Sequence, residues 1–146
     1  MDSDRKHSDL TDLIIKSFYK VYNTLGYGFR ERVYRRSMRI ELMKLGLKVI
    51  EEAPIKVYYE GIAVGRYSAD LLVENKVIVE LKSKRVLIED FEAQLVHYLK
   101  ATVYEVGLLL NFGPEPQIKR KVFDNARKGS LAWIKEGKDD SLQQQK

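Results

Sequence analysis

The chain has no cysteine, so it can hold no disulfide framework, no thiolate zinc or iron–sulfur site and no cysteine nucleophile, an absence that fits a reducing compartment. Histidine is scarce as well, with 2 in 146 residues. His97 shares no spacing with a second ligand and His7 stands near the start, so neither is a candidate catalytic group. Long apolar runs are missing: stretches such as Val77–Val79 and Val106–Leu110 fall far short of the ~20 residues that cross a bilayer. The charged start, Met1 to Asp9, lacks the apolar segment of a signal peptide. Together these absences predict a cytoplasmic protein with no membrane partner. There is no internal repeat and no low-complexity tract apart from the polar end, Asp139 to Lys146.

What is present is a globular balance of 45% hydrophobic and 32% charged residues, enough chain for one domain. The reading is a flexible leader over 1–8, a single domain over 9–136 and a disordered polar tail over 137–146. The net charge of +5 is unevenly spread: residues 1–50 carry 11 basic and 6 acidic side chains, 51–112 carry 7 and 10, and 113–146 carry 8 and 5. A basic rim around an acidic middle suits a protein that holds a polyanion and cuts it with the help of a metal. The same excess also serves ordinary solubility.

Apolar residues at steps of three and four predict a helix from Leu10 to Leu25, capped by Asp9 or Thr11 and ended by Gly26, and a second from Glu31 to Leu45 ended by Gly46. Arg32, Arg35, Arg36 and Arg39 share the second helix's other face, where they could meet phosphates. The period then changes to two. Strands follow through Leu47–Tyr59, Ile62–Val73 and Lys76–Leu81, with Glu60–Gly61 as a hairpin turn. A helix over Val86–Thr102, a buried strand over Val106–Phe112, a loop at Gly113–Pro116 and a last strand over Ile118–Phe123 complete the order. This is an α/β chain with a mixed central sheet flanked by helices, the third helix crossing between parallel strands.

Chemistry-bearing residues gather on one strand. Glu80 and Lys82 point to the same face of an otherwise apolar segment, where each needs a partner. If a three-residue loop, Glu74 to Lys76, joins this strand to the previous one, Asp70 lies opposite Glu80 on that face. A two-residue turn would place Asp70 opposite Val79 and aim it away.

Gly28-Phe-Arg-Glu31-Arg-Val-Tyr34 has a Gly-x-x-Glu-x-x-Tyr pattern. With Ala69-Asp70, Val79-Glu80-Leu-Lys82, Glu92-Ala-Gln94-Leu-Val-His-Tyr98 and Gly107-Leu-Leu-Leu-Asn111-Phe112, the chain resembles the GxxExxY family of the PD-(D/E)XK nuclease-like superfamily over residues 9 to 123. The resemblance implies a restriction-endonuclease-like core, with Asp70, Glu80 and Lys82 as catalytic triad and Glu31 as the helix-borne acid. Gln94 and Tyr98 resemble the Gln-x-x-x-Tyr motif of RecB-like nucleases. The residue before Asp70 is Ala69 where the superfamily's name has proline.

Physical chemistry points the same way. Like charges ~4 Å apart repel by about 4 kcal/mol at an effective dielectric near 20. Glu31, Asp70 and Glu80 against one Lys82 therefore call for a proton or a divalent cation, and all-oxygen ligands select Mg²⁺ or Mn²⁺. The expected activity is Mg²⁺-dependent hydrolysis of phosphodiester bonds in DNA. Asp70, Glu80 and Glu31 would hold metal, Lys82 and Gln94 would assist the chemistry, and Tyr98, Arg32, Arg35 and Arg36 would position substrate. The alternative is a nuclease-like domain that only binds nucleic acid or a protein. A homodimer through paired sheet edges is a further expectation.

Overall fold

The computed structural model describes residues 6–136. The expected tail and the first part of the expected leader lie outside them. Lys6 already reaches back into the fold, pairing with Glu105 at 3.0 Å and Asp124 at 2.8 Å.

Helix α1 (Ser8–Leu25) buries Ile14, Phe18 and Val21 along one stripe. Its N-terminal cap is His7, whose side chain makes no capping bond; the Thr11 hydroxyl donates to the Ser8 carbonyl, so neither Asp9 nor Thr11 caps the helix. Helix α2 (Glu31–Lys44) buries Tyr34, Met38 and Leu42. It closes through Gly46, whose φ of 79° lets the Leu47 N–H return to the Leu42 carbonyl.

Strands β1 (Val49–Tyr59) and β2 (Ile62–Val73) form a hairpin turned by Glu60 and Gly61, both at positive φ. Strands β3 (Val77–Lys82), β4 (Val106–Phe112) and β5 (Pro116–Val122) complete a sheet of order β1-β2-β3-β4-β5, in which only β3 and β4 run parallel. Helix α3 (Glu89–Ala101) makes the crossover between them. It starts three residues later than the periodicity predicts because the chain after β3 is held extended. The buried Asn111 side chain accepts from the Lys84 N–H and donates to the Lys84 carbonyl, both at 2.9 Å, taking the place of a neighbouring strand. A 3₁₀ turn at Asn125–Arg127 and a short helix α4 (Leu131–Glu136) follow, with Trp133 edge-on to Tyr59.

Apolar residues separate into two layers. Leu71, Val73, Val77, Val79 and Leu81, together with the even-numbered β4 residues Leu108, Leu110 and Phe112, pack against α1 and α2. Leu72, Ile78 and Leu109 pack against Leu95, Tyr98 and Leu99 of α3. The hairpin changes sides between the layers. Val73 and Leu71 belong to the α1/α2 layer, yet Ala69, of the same parity, joins Ala53 and Ile55 in the α3 layer. The switch falls where Glu52 takes φ of 50° and drops out of the ladder between the Glu51–Leu71 and Ala53–Ala69 pairs. The β2 residue at this twist is Asp70.

Candidate active site

The connection between β2 and β3 has three residues, Glu74 to Lys76, with Glu74 and Asn75 both at positive φ and the Lys76 N–H closing the turn on the Val73 carbonyl. Pairing therefore runs Val73–Val77, Leu72–Ile78 and Leu71–Val79, which sets Asp70 across from Glu80. Beyond Leu71 the strands part, and carboxylates replace the ladder. The Leu81 N–H donates to Asp70 Oδ2 at 2.7 Å, and the Asp70 N–H donates to Glu80 Oε1 at 3.2 Å. Each side chain thus satisfies a backbone donor that the divergence of β2 exposes.

These bonds leave both charges poorly solvated. Burial, then the Glu31 charge, raises the Asp70 proton affinity against the pull of the Leu81 N–H and Lys82. For Glu80, burial first and the Asp70 charge second push its pKa up to about 8. The pair is short of positive charge. Lys82 acts on both carboxylates, while its ammonium lies 4.6 Å from the centre of the Phe91 ring. Glu31 stands one step outward, its Oε2 accepting the Ser83 N–H at 3.3 Å. Among the described residues no three His, Asp or Glu side chains are gathered closely enough to form a ready-made metal site. The donor set nevertheless suits a hard cation: two facing carboxylates at a strand fork, both made reluctant to ionise, with a third acid nearby.

Two recesses adjoin the carboxylates. One, about 530 Å³, lies between α3 and the outer half of the β1–β2 hairpin and is lined by Val57, Tyr67, Gln94, His97 and Tyr98 among others. It does not include Asp70 or Glu80; the hydroxyl of Tyr98 on its lining has a pKa pushed up to about 12 by burial and by the charges of Glu80 and Asp70. The other, about 500 Å³, opens between the α1–α2 turn and the chain after β3, with Tyr27, Phe29, Arg30, Glu31 and Lys84 on its walls. Tyr34 fixes that turn from below. Its hydroxyl donates to the Gly26 carbonyl and accepts the Phe29 N–H, while its ring stacks on Phe112 at 4.0 Å, so the Gly-x-x-Glu-x-x-Tyr tyrosine is a core residue.

The arginines divide. Arg32 and Arg36 are exposed on the outer side of α2. Arg35, expected to position substrate, is spent on the protein itself, bonding Glu51 at 3.1 Å and Glu52 at 3.4 Å. The twist at Glu52 brings that carboxylate to α2, and this was invisible to a strict two-residue alternation. Tyr67 and Lys84 were missed by motif reasoning for a related reason: one enters the recess only because the hairpin switches faces, the other only because Asn111 straightens the loop.

No curated protein matches the sequence. Among solved structures, the crystal structure of SSO0001 matches with a TM-score of 0.49 and 19% sequence identity, covering 97% of this chain and 70% of that one. The family model of the PD-(D/E)XK nuclease superfamily matches residues 8–122, from the first helix through the last strand. The mixed sheet with its flanking helices has that fold, and the chain belongs to the PD-(D/E)XK nuclease superfamily.

Proposed function

We propose that this chain is a metal-dependent nuclease of the GxxExxY type that hydrolyses phosphodiester bonds in DNA. The supporting observation is the buried Asp70–Glu80 pair at the β2–β3 fork, short of positive charge and flanked by Lys82. Asp70 and Glu80 would hold Mg²⁺ or Mn²⁺, with Glu31 completing the set of acidic ligands. A bound divalent cation supplies Lewis acidity, offsetting phosphoryl charge and easing loss of a proton from water. The Lys82 ammonium, anchored over Phe91, stabilises negative charge that develops on the phosphoryl oxygens. Tyr98 and Gln94, four residues apart on α3, orient substrate beside the carboxylates. Arg32 and Arg36 add long-range attraction for the polyanion.

The test incubates the protein with single-stranded DNA, duplex DNA and RNA in Mg²⁺, Mn²⁺ or EDTA, beside Glu80→Ala and Lys82→Ala. Metal-dependent cleavage that falls on the order of 10²-fold or more in both variants is expected. Cleavage that survives either substitution sinks the mechanism. The alternative reading is a domain that binds nucleic acid without cutting it. That reading predicts salt-sensitive, metal-independent binding and no cleavage of any substrate.

A further inference from the structure

The recess beside α3 has a construction that the nuclease reading leaves unexplained. Its walls are mostly apolar in area: Val57 and Tyr67 come from the hairpin, and Ala93, His97 and Ala101 lie one turn apart on α3. Tyr67 is 54% exposed, although its ring is held on two sides. It leans on the Tyr98 ring, with centroids 5.8 Å apart and planes tilted by 42°, and it lies over Gly65, where an added Cβ would come within 3.3 Å of the ring. An aromatic face presented to solvent and braced from behind loses little freedom when a ligand covers it. Tyr98, on its lining, belongs to the same buried cluster as Ala69 and Ile78, the β2 and β3 residues beside the carboxylate fork. Lys100, whose ammonium lies 5.4 Å from the centre of the Phe123 ring, and Asp90 also stand on its lining.

We propose that this recess receives an unpaired nucleobase stacked on Tyr67, so that the neighbouring carboxylates act on single-stranded nucleic acid. The substrate part of this rests on the nuclease reading above. The chemistry of the occupant follows from the walls. A base within a duplex offers only its edges to a protein, whereas an unpaired base offers a π-face to an aromatic platform. The volume of about 530 Å³ lies in the range of pockets that enclose ligands of nucleotide size.

The experiment uses a single-stranded DNA oligonucleotide carrying 2-aminopurine, a duplex of the same sequence, and the full chain in EDTA so that no cutting occurs. Binding of the single strand should quench the 2-aminopurine fluorescence. Tyr67→Ala should weaken single-strand affinity about tenfold and remove the quench, Tyr67→Phe should keep both, and duplex affinity should change little. His97→Ala, at an exposed position, gives a second readout of the same wall should Tyr67→Ala fail to fold. Equal single-strand affinity in wild type and both alanine variants, or no preference of the wild type for single strand over duplex, overturns the proposal. Adding Mg²⁺ or Mn²⁺ separates the two claims. Quenching without cleavage removes the nuclease reading and keeps the base site, while cleavage whose KM for single strands ignores Tyr67→Ala removes the base site and keeps the nuclease.

Discussion

Against α1 and α2 the sheet buries a continuous apolar layer, in which Phe112 stacks on Tyr34 at 4.0 Å and meets Phe18 edge-on at 4.8 Å. Against α3 the layer is smaller, and it gives way at one end to Asp70, Glu80 and an open recess. Two kinds of work are thereby kept apart. The first face fixes where β3 and α2 lie, and the second spends that rigidity on desolvated charge. The division explains how a carboxylate as buried as Glu80, 5% exposed, can persist: its strain is carried by a framework with apolar contacts on the other side.

The sharpest way to break the comparison is to strike each face once. Phe112→Ala should cost about 3–5 kcal/mol of stability and leave the folded fraction able to bind and act on substrate. Glu80→Gln should do the reverse, removing cleavage while holding or raising the Tm at pH 8, since the amide keeps the shape and sheds the desolvated charge. Thermal melts paired with cleavage assays read both; a Glu80→Gln protein that melts well below wild type would mean the carboxylate is a stabilising group.

A smaller effect sharpens the same contrast through pH. Glu80 holds its proton in the folded protein up to about 8, against an ordinary value of 4.5. Between these values the native state binds more protons than the unfolded chain, so this contribution to stability is complete below about pH 4.5 and is lost as pH rises through 8. Melts in EDTA should show Tm falling over that window. Mg²⁺ should flatten the fall by taking the proton's place, and Glu80→Gln should do so without metal.

The smallest expected effect concerns α2. Arg35→Ala should cost up to about 1 kcal/mol through its lost pairing with Glu51 and Glu52 and leave DNA affinity unchanged. Arg36→Ala should leave stability unchanged and lower the salt dependence of binding by roughly one phosphate contact. Urea titration and binding isotherms at several salt concentrations distinguish the two.

Much of the fold was legible because period and parity are hard constraints. The three-residue loop Glu74–Lys76 was the condition for Asp70 to face Glu80, and the Leu71–Val79 register meets it. Element order followed from changes of hydrophobic period. What escaped were effects that break local regularity. At Glu52 the chain takes a positive φ that sends its carboxylate to Arg35 of α2, and beyond this twist Tyr67 leans on Tyr98 of α3. The Asn111 amide, a tertiary contact, delays the start of α3. No helix in the described residues is long and apolar enough to cross a membrane, in line with the absence of long apolar runs.

The change of sides at Glu52 and Asp70 also sets which alterations of length the hairpin can absorb. Residues added at the Glu60–Gly61 tip leave the phase of both arms intact, so that tip is open to insertion. One residue added between Tyr67 and Asp70 would rotate everything outside it by half a strand period, turning Tyr67 away from α3 while leaving Asp70 in register with β3. On the proposed function, a single insertion would then alter the proposed base site while leaving the Asp70–Glu80 pair in place.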